Sequence, residues 1–521
     1  MKGLFVALCL FALAAMAWWK LSGDKRRDQA ADDLQRSTSD AASYDEYVTI
    51  WGDDWLGYCV FRSRRFQKEL EKQRIGVRFD MEFDFKKRFE GLASGECDLV
   101  VATIDSYLVN GADENYPGVI LFQIDESYGG DAIVGRNGVT SLDDLKKPDV
   151  KGALVGYSPS EFLLKSQISH FGIESLLSKV GSFRQDSAED AYARFKSGTA
   201  DFAVLWEPFV SKALAEVPGA TRLIDTSKAR DLILDVAIGS RPLIAEKPEV
   251  VRKVMTAYFT ALDAYLADAE EFKKLARSDS GKSQAEASQM LAGIRFADVA
   301  ANEALANGGA GVRDLADRIT DIAQILVDVG DLKSDPFRGN PQLITNTAFL
   351  ADLSKARPSL ATPKGGPGTF RIPGVDPPRA NGGSRFFRQL TAPEWKQVSD
   401  NITGTLVDRP IVFATGTATV PEQFVADLAK ASEKLTHYPT QRIIVQAHVS
   451  AGSDPEADQQ LSQQRAEAIR DRLIAEAKIP PERIHAMGMG SSDPVARIDG
   501  ESTKAWKRRC RRARVFLAED S

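Results

Sequence analysis

AHVSAGSDPEADQQLSQQRAEAIRDRL, residues 447 to 473, reads as the end of a strand, a polar loop and a helix. Leu461 and Ile469 lie one helical turn either side of Arg465, so four-residue steps set a guanidinium on the apolar stripe. Two accounts of that arginine are open. In one, its stem packs on Leu461 and its head snorkels to solvent, as the nearby Arg472 suggests. In the other, the planar fork receives a carboxylate. Outward from this helix, RPIVFA, RIIVQAHV, RIHAMGM and ARVFLA read as strands and PEQFVADLAKASEKL as a helix. Residues 404–521 therefore predict an α+β domain of β-α-β-α-β order.

Upstream, PKGGPGTFRIPGVDPPRANGG (363–383) is more than half Pro and Gly and supports no regular element. Thr391-x-x-Glu394, with Pro393 in the first turn, has capping-box spacing, so a short helix is expected within a linker spanning 341–403. Before the linker, apolar runs such as YVTIW, CDLVVATI, VILFQI, GALVGY and DFAVLW alternate with helical patterns. That alternation predicts α/β layers over 44–340, closed by helices from Lys247 to about Leu332.

At the start, GLFVALCLFALAAMAWW (3–19) is uncharged between Lys2 and Lys20. Residues 1–21 are thus a membrane anchor or a cleaved signal peptide, and 22–43 a polar spacer. Either reading exports the rest, facing the periplasm from the inner membrane or free within it. Cys59, Cys97 and Cys510 read as buried thiols, with a Cys59–Cys97 bridge as the alternative. The 521 residues exceed a single core, and hydrophobic residues at 43% with charged residues at 27% leave most of the chain able to fold. A net charge of −6 argues against nucleic acid as the partner. The 4 histidines show no ligating spacing, and no nucleophile–base pair or phosphate loop emerges, so no metal, cofactor or catalytic residue is expected.

Ligand-binding signals lie in the α/β region. In VGYSPSEFLLK, Ser158 and Ser160 flank Pro159 at a strand-to-helix turn, where free N–H groups and hydroxyls can seat an anion or merely cap the helix. IWGDDWLGY brings Trp51, Trp55 and Tyr58 to the end of a strand, and Trp206-Glu207 ends another, the place where open α/β sheets bind ligands. Six blocks follow one another in the order seen in periplasmic solute-binding proteins of nitrate, sulfonate and taurine type: IWGDDWLGY, GECDLVVATID, DESYGGDAIVGR, SLDDLKKPDVKGALVGYSPSEFLLK, SGTADFAVLWEPFV and KPEVVRKVMTAY. The region resembles that family, which implies a two-lobed periplasmic-binding-protein fold of type II. The resemblance places Asp54, Trp55, Tyr58, Thr103, Asp105, Ser158, Ser160, Trp206 and Glu207 around the cleft. Asp54, Asp105 and Glu207 would repel a simple anion, so a zwitterion, an amine or a heterocycle stacked on tryptophan is an equal expectation for the small organic solute.

In the last domain, VFATGTATV, IIVQAHVSAGSD, LSQQRAEAIRDRL, HAMGMGSSDPVA and RARVFLA resemble the OmpA-like peptidoglycan-associated domain. The resemblance implies that Arg465 grips the free carboxylate of a peptidoglycan diamino acid, with Arg514 in the closing basic turn. It departs from the family where an aspartate is normal, since that place is Ser450, and the usual asparagine before the helix is Asp458. Wall binding is therefore expected to be weakened or altered, with Asp454 or Asp458 as substitutes. The run KRRCRRAR (507–514) reads as a solvated face or a contact with anionic glycan or lipid.

These readings predict a periplasm-facing, membrane-anchored protein coupling solute binding to peptidoglycan attachment, as a sensor or scaffold of the envelope. The alternatives are the substrate-binding component of an ABC uptake system, with a permease as partner, and a strut whose cleft is vestigial.

Overall fold

The structure is a computed structural model and describes residues 44–308, 313–361, 387–407, 409–452 and 454–520. The expected anchor or signal peptide, the polar spacer to 43 and the Pro/Gly segment 363–383 lie outside these residues. Among the described residues no helix is long and apolar enough to cross a membrane.

Two α/β lobes come first. The first lobe is a six-stranded sheet in the order Ile294–Phe296, Gly118–Ser127, Leu234–Ser240, Leu99–Thr103, Glu46–Gly52, Ile75–Met81. Gly118–Ser127 and Leu234–Ser240 are buried along their whole length, as expected of near-continuous apolar runs covered on both faces. Helix Pro248–Ala267 starts on a proline at its first turn and packs Tyr258 in a stack on Phe61, ring centroids 4.4 Å apart. The second lobe is a five-stranded sheet in the order Arg184–Gln185, Gly152–Val155, Phe202–Trp206, Asp131–Gly135, Thr221–Asp225. The chain crosses between lobes twice, from Gly118–Ser127 to Asp131–Gly135 and back from Thr221–Asp225 to Leu234–Ser240. Two crossings make a hinge. On it, Glu126 pairs with Arg230 at 2.9 Å and Arg295 at 3.3 Å, and both guanidinium groups lie on the Tyr128 ring, at 4.8 and 4.7 Å. Helix Leu315–Asp328 packs on Ile104–Asn110 of one lobe and Pro159–Phe171 of the other.

The first domain runs past 340, the boundary expected from sequence. Asn346 N–H donates to Ile120 O at 2.9 Å, and Phe349, Leu350 and Leu353 of helix Ala348–Ala356 are buried in the first lobe's core. Pro341 and the polar residues around it read as linker, but the apolar trio one helical turn apart docks the segment. Cys59, Cys97 and Cys510 are buried free thiols.

The last domain is a mixed sheet in the order Ile402–Thr405, Arg512–Ala518, Arg442–Ala447, Ile484–Gly488, with Ile411–Val412 also pairing Arg512–Ala518. Thr391 and Glu394 form the expected capping box, and Trp395 of that helix stacks on His485 at 4.6 Å. Strand Ile402–Thr405 and helix Thr503–Cys510, which carries Lys507, Arg508 and Arg509 of the basic run, were not expected.

This domain docks on the second lobe. One apolar cluster runs through Leu142, Phe171, Leu406 and Tyr438. Gly404 lies so close to Phe171 that a Cβ there would meet the ring at 2.6 Å. The Tyr438 hydroxyl donates to Gln167 at 3.0 Å and sits 2.6 Å from His170 Nδ1, while the His170 and His437 rings stack at 5.1 Å. Lys434 donates to His170 O at 2.8 Å and Thr405 to Asp143 at 2.8 Å. At the hinge itself, Arg230 N–H donates to His437 O at 2.7 Å and His437 Nδ1 lies 2.9 Å from Arg230 O.

Candidate functional site

Between the lobes lies a cleft of about 480 Å³, within the range of small-molecule sites. From the first lobe, the turn after strand Glu46–Gly52 brings Asp53, Asp54, Trp55 and Tyr58. Two arginines, Arg88 buried and Arg62 half-buried, hold this turn. Arg88 bonds Asp53 at 2.7 Å and Val101 O at 3.2 Å, while Arg62 donates to Asp53 O at 2.9 Å and Trp55 O at 3.0 Å and pairs with Asp279. Gly57 is needed beneath them, because a Cβ there would lie 2.0 Å from Asp125 Oδ2. Phe83 and Phe85 add two more rings, Phe83 being 60% exposed at the mouth.

From the second lobe come Ser158 and Pro159 at the start of helix Pro159–Phe171, Asp186 to Glu189 at the start of helix Ala188–Ser197, and Trp206 with Phe209. The crossing strands supply Asp131 and Asp235. Asp235, 2% exposed, accepts the Tyr58 hydroxyl, and Asp131, 3% exposed, accepts from Ser127 at 2.6 Å. Burial pushes Asp131 and the neighbouring Asp125 each up to about 7, and burial, then the Asp125 carboxyl, raises Asp235 well above the usual carboxylate range.

Of the residues expected here, Asp54, Trp55, Tyr58, Thr103, Ser158 and Trp206 line the cleft. Asp105, Ser160 and Glu207 do not. Asp105 is buried in the first turn of helix Ile104–Asn110, where burial raises it to about 7. Ser160 is buried in its own helix, and Glu207 accepts both the N–H and the hydroxyl of Ser211, at 3.2 and 2.8 Å. The sequence reading missed Asp131, Asp235, Phe83 and Phe85.

In the last domain Arg465 is fully buried, so its head does not snorkel. Nε donates to Thr417 O at 2.8 Å, Nη2 to Ala414 O at 2.9 Å and Nη1 to His448 O at 3.3 Å, and the guanidinium lies over Phe413 at 4.9 Å. Burial, then the nearby Arg511, pushes its pKa down to about 10. Ser450 is half-buried two residues beyond His448. Asp458 caps the loop, accepting Gly452 N–H at 2.9 Å, and Asp454 caps the helix Pro455–Ala477 by accepting from Glu456 and Ala457. Arg514 is exposed. Its strand neighbours Ala513 and Val515 share a core with Ala466 and Ile469, and Phe516 packs with Trp395, so Arg514 stands on the sheet face away from Arg465.

A cleft between two lobes, followed by a small mixed-sheet domain with a buried helix arginine, gives the chain two separate candidate sites. Residues 412–508 match the OmpA family. Over 90 residues the chain is 31% identical to outer membrane porin F of Pseudomonas aeruginosa, covering 17% of this chain and 26% of that protein. The chain spans no more than 32% of the curated relatives it matches. Among solved structures, the periplasmic aliphatic sulphonate binding protein SsuA from Escherichia coli is 17% identical, over 59% of this chain and 96% of that one, with a TM-score of 0.41. The peptidoglycan-associated lipoprotein from Burkholderia pseudomallei is 26% identical, over 22% of this chain and 93% of that one, with a TM-score of 0.20. The protein thus joins a two-lobed α/β region to a mixed-sheet domain that matches the OmpA family over residues 412–508.

Proposed function

We propose that the chain binds a small organic solute between its lobes and holds peptidoglycan through its OmpA domain, coupling the two at the bacterial envelope as a sensor or scaffold. The observation that carries this reading is the pair of hydrogen bonds between the Arg230 backbone and His437, one to the His437 carbonyl and one with its imidazole Nδ1, because Arg230 also anchors the hinge through Glu126. Closure of the lobes moves that hinge, and the OmpA domain is fastened to it. Attachment to the inner membrane through residues 1–21 belongs to the same proposal, and that segment would place both domains in the periplasm. The docked OmpA domain favours sensing over delivery to an ABC permease, since it covers part of the second lobe.

The test uses the full chain purified from envelopes. Native mass spectrometry is expected to show a bound small molecule. Stripping that molecule is expected to change the fraction co-sedimenting with sacculi at least threefold. Identical sedimentation of loaded and stripped protein would remove the coupling.

The coupling also predicts a pH response. Burial, then their mutual contact and Lys434, holds His170 well below the ordinary imidazole value. Burial also lowers His437, against the hydrogen bond to the Arg230 carbonyl and the pull of Asp231 and Asp321, with Arg313 on burial's side. Docking therefore favours the neutral form of both rings. Above about pH 6.5 the undocked rings are neutral too and nothing is gained or lost. Below it the undocked rings take up protons first, and docking weakens by up to about 1.4 kcal/mol per pH unit per imidazole. Docking, measured by proteolytic access to the interface, is expected to loosen between pH 7 and 5 in the parent and to stay flat in His170→Gln/His437→Gln.

A further inference from the structure

The charge of the cleft is lopsided. Asp53, Asp54, Asp131, Asp186, Glu189 and Asp235 face it, against one ammonium, Lys282. Arg88 answers Asp53, while burial and then Asp53 raise Asp54, with Arg62 and Lys282 pulling the other way. Among the described residues, Asp131, Asp186, Glu189 and Asp235 are in no ion pair. Asp235 is 2% exposed and hydrogen-bonds Asp125, so one of the two buried carboxyls carries a proton. Among the described residues no cation of the protein pairs with them, and a cation in the cleft would favour release of that proton and offset the cost of a buried charge.

Among the described residues that line the cleft, none of those from the second lobe is a cation that offsets this acidity. Two helices begin at the cleft, and their N-termini would ordinarily favour an anion. Here both are already served by resident groups. Ser158 accepts from Ser160 N–H at 3.2 Å, and Glu161 accepts from Tyr157 N–H at 3.0 Å. Ser187 accepts from Asp190 N–H at 3.1 Å, with Glu189 and Asp190 in that helix's first turn. The rest of the lining is aromatic, from Trp55, Tyr58, Phe83, Phe85, Trp206 and Phe209. Ring faces and carboxylates together attract one kind of small molecule, a cation with an apolar skin.

Resting on the solute-binding reading above, we propose that the cleft takes an organic cation, an alkylated or quaternary ammonium, held by Asp235 and Asp131 on the crossing strands and by the rings of Trp55 and Trp206 on the two lobes. Charge on the ligand, more than its shape, then sets affinity. The ligand also bridges the lobes, because its carboxylates come from the hinge and its rings from either side.

The full chain is titrated with tetramethylammonium and choline, with 3,3-dimethyl-1-butanol as choline's neutral isostere, and with methanesulfonate, taurine and nitrate, reading tryptophan fluorescence and calorimetry. Saturable binding of the ammonium ions, at least tenfold tighter than the isostere and the anions, is expected. Asp235→Asn and Trp206→Ala should each weaken it at least tenfold, with far-ultraviolet dichroism and melting temperature showing that each variant is folded. Tighter binding of a sulfonate or nitrate, or equal binding of choline and its isostere, would overturn the cation while leaving solute binding intact. Failure of every probe would overturn it too. A molecule still found by native mass spectrometry would then preserve the solute-binding reading, and its absence would end both.

Discussion

In a calorimetric scan of the full chain, Tyr438→Ala is expected to separate one broad cooperative unfolding into two, with the OmpA domain melting first. Tyr438 is fully buried, edge-on to Phe171 at 5.4 Å and bonded to Gln167 and His170, all three from the second lobe. Removing such a ring costs about 3–5 kcal/mol, a large part of the roughly 5–15 kcal/mol that holds a domain together. Tyr438 also belongs to the OmpA domain's own core, so its loss alone does not isolate docking. His170→Ala does, because that side chain lies in the lobe. It should lower the OmpA domain's transition by several degrees without entering that domain. An OmpA transition unmoved by His170→Ala would mean that the two bodies touch without stabilising each other.

The second large effect concerns the wall. Arg465→Ala empties a fully buried place and leaves the buried carbonyl of His448 without this donor, at about 1–3 kcal/mol for the group left unsatisfied. The exposed loop of Ala414 and Thr417 loses two of the hydrogen bonds that hold it. The domain should therefore melt markedly lower, and co-sedimentation with sacculi should vanish. Arg465→Lys keeps the charge but not the fork, so it should recover stability in part and binding little. The guanidinium has five N–H donors and three are already spent on carbonyls, which leaves little for a diamino-acid carboxylate unless the 414–417 loop yields. Ser450→Asp supplies a carboxylate on the loop beyond His448, where an ammonium partner would sit. It is expected to tighten sedimentation at least tenfold in the otherwise unchanged chain. Sedimentation indifferent to both positions would move the domain's partner from peptidoglycan to protein.

The architecture was largely legible because its signals are local. Strand-to-helix alternation, the Thr391–Glu394 box and the Arg465 helix each declare themselves within one or two turns. The cleft was legible by position more than by direction. Trp55 and Tyr58 follow a strand, Trp206 ends one, and all three line it. Asp105, Ser160 and Glu207, each within two residues of a lining position, do not: Asp105 and Ser160 are buried in the first turns of their helices and Glu207 accepts from Ser211. A sequence places a loop and leaves the aim of each side chain to packing. Asp131 and Asp235 were missed because they lie in strands that read as core, and only the two crossings bring them to the cleft. Docking of the OmpA domain was beyond reach for the same reason at longer range, since His170 and Tyr438 are 268 residues apart.

Arg230 faces two ways, its side chain on Glu126 within the hinge and its peptide on His437. If the wall holds one end of the molecule and the membrane the other, tension in the envelope reaches this residue as a torque. Linkage is reciprocal, so a solute that shifts the OmpA domain on closing has its own affinity shifted by the same pull. The hinge would then convert stretch of the cell surface into occupancy, and occupancy into slack or strain along the tether.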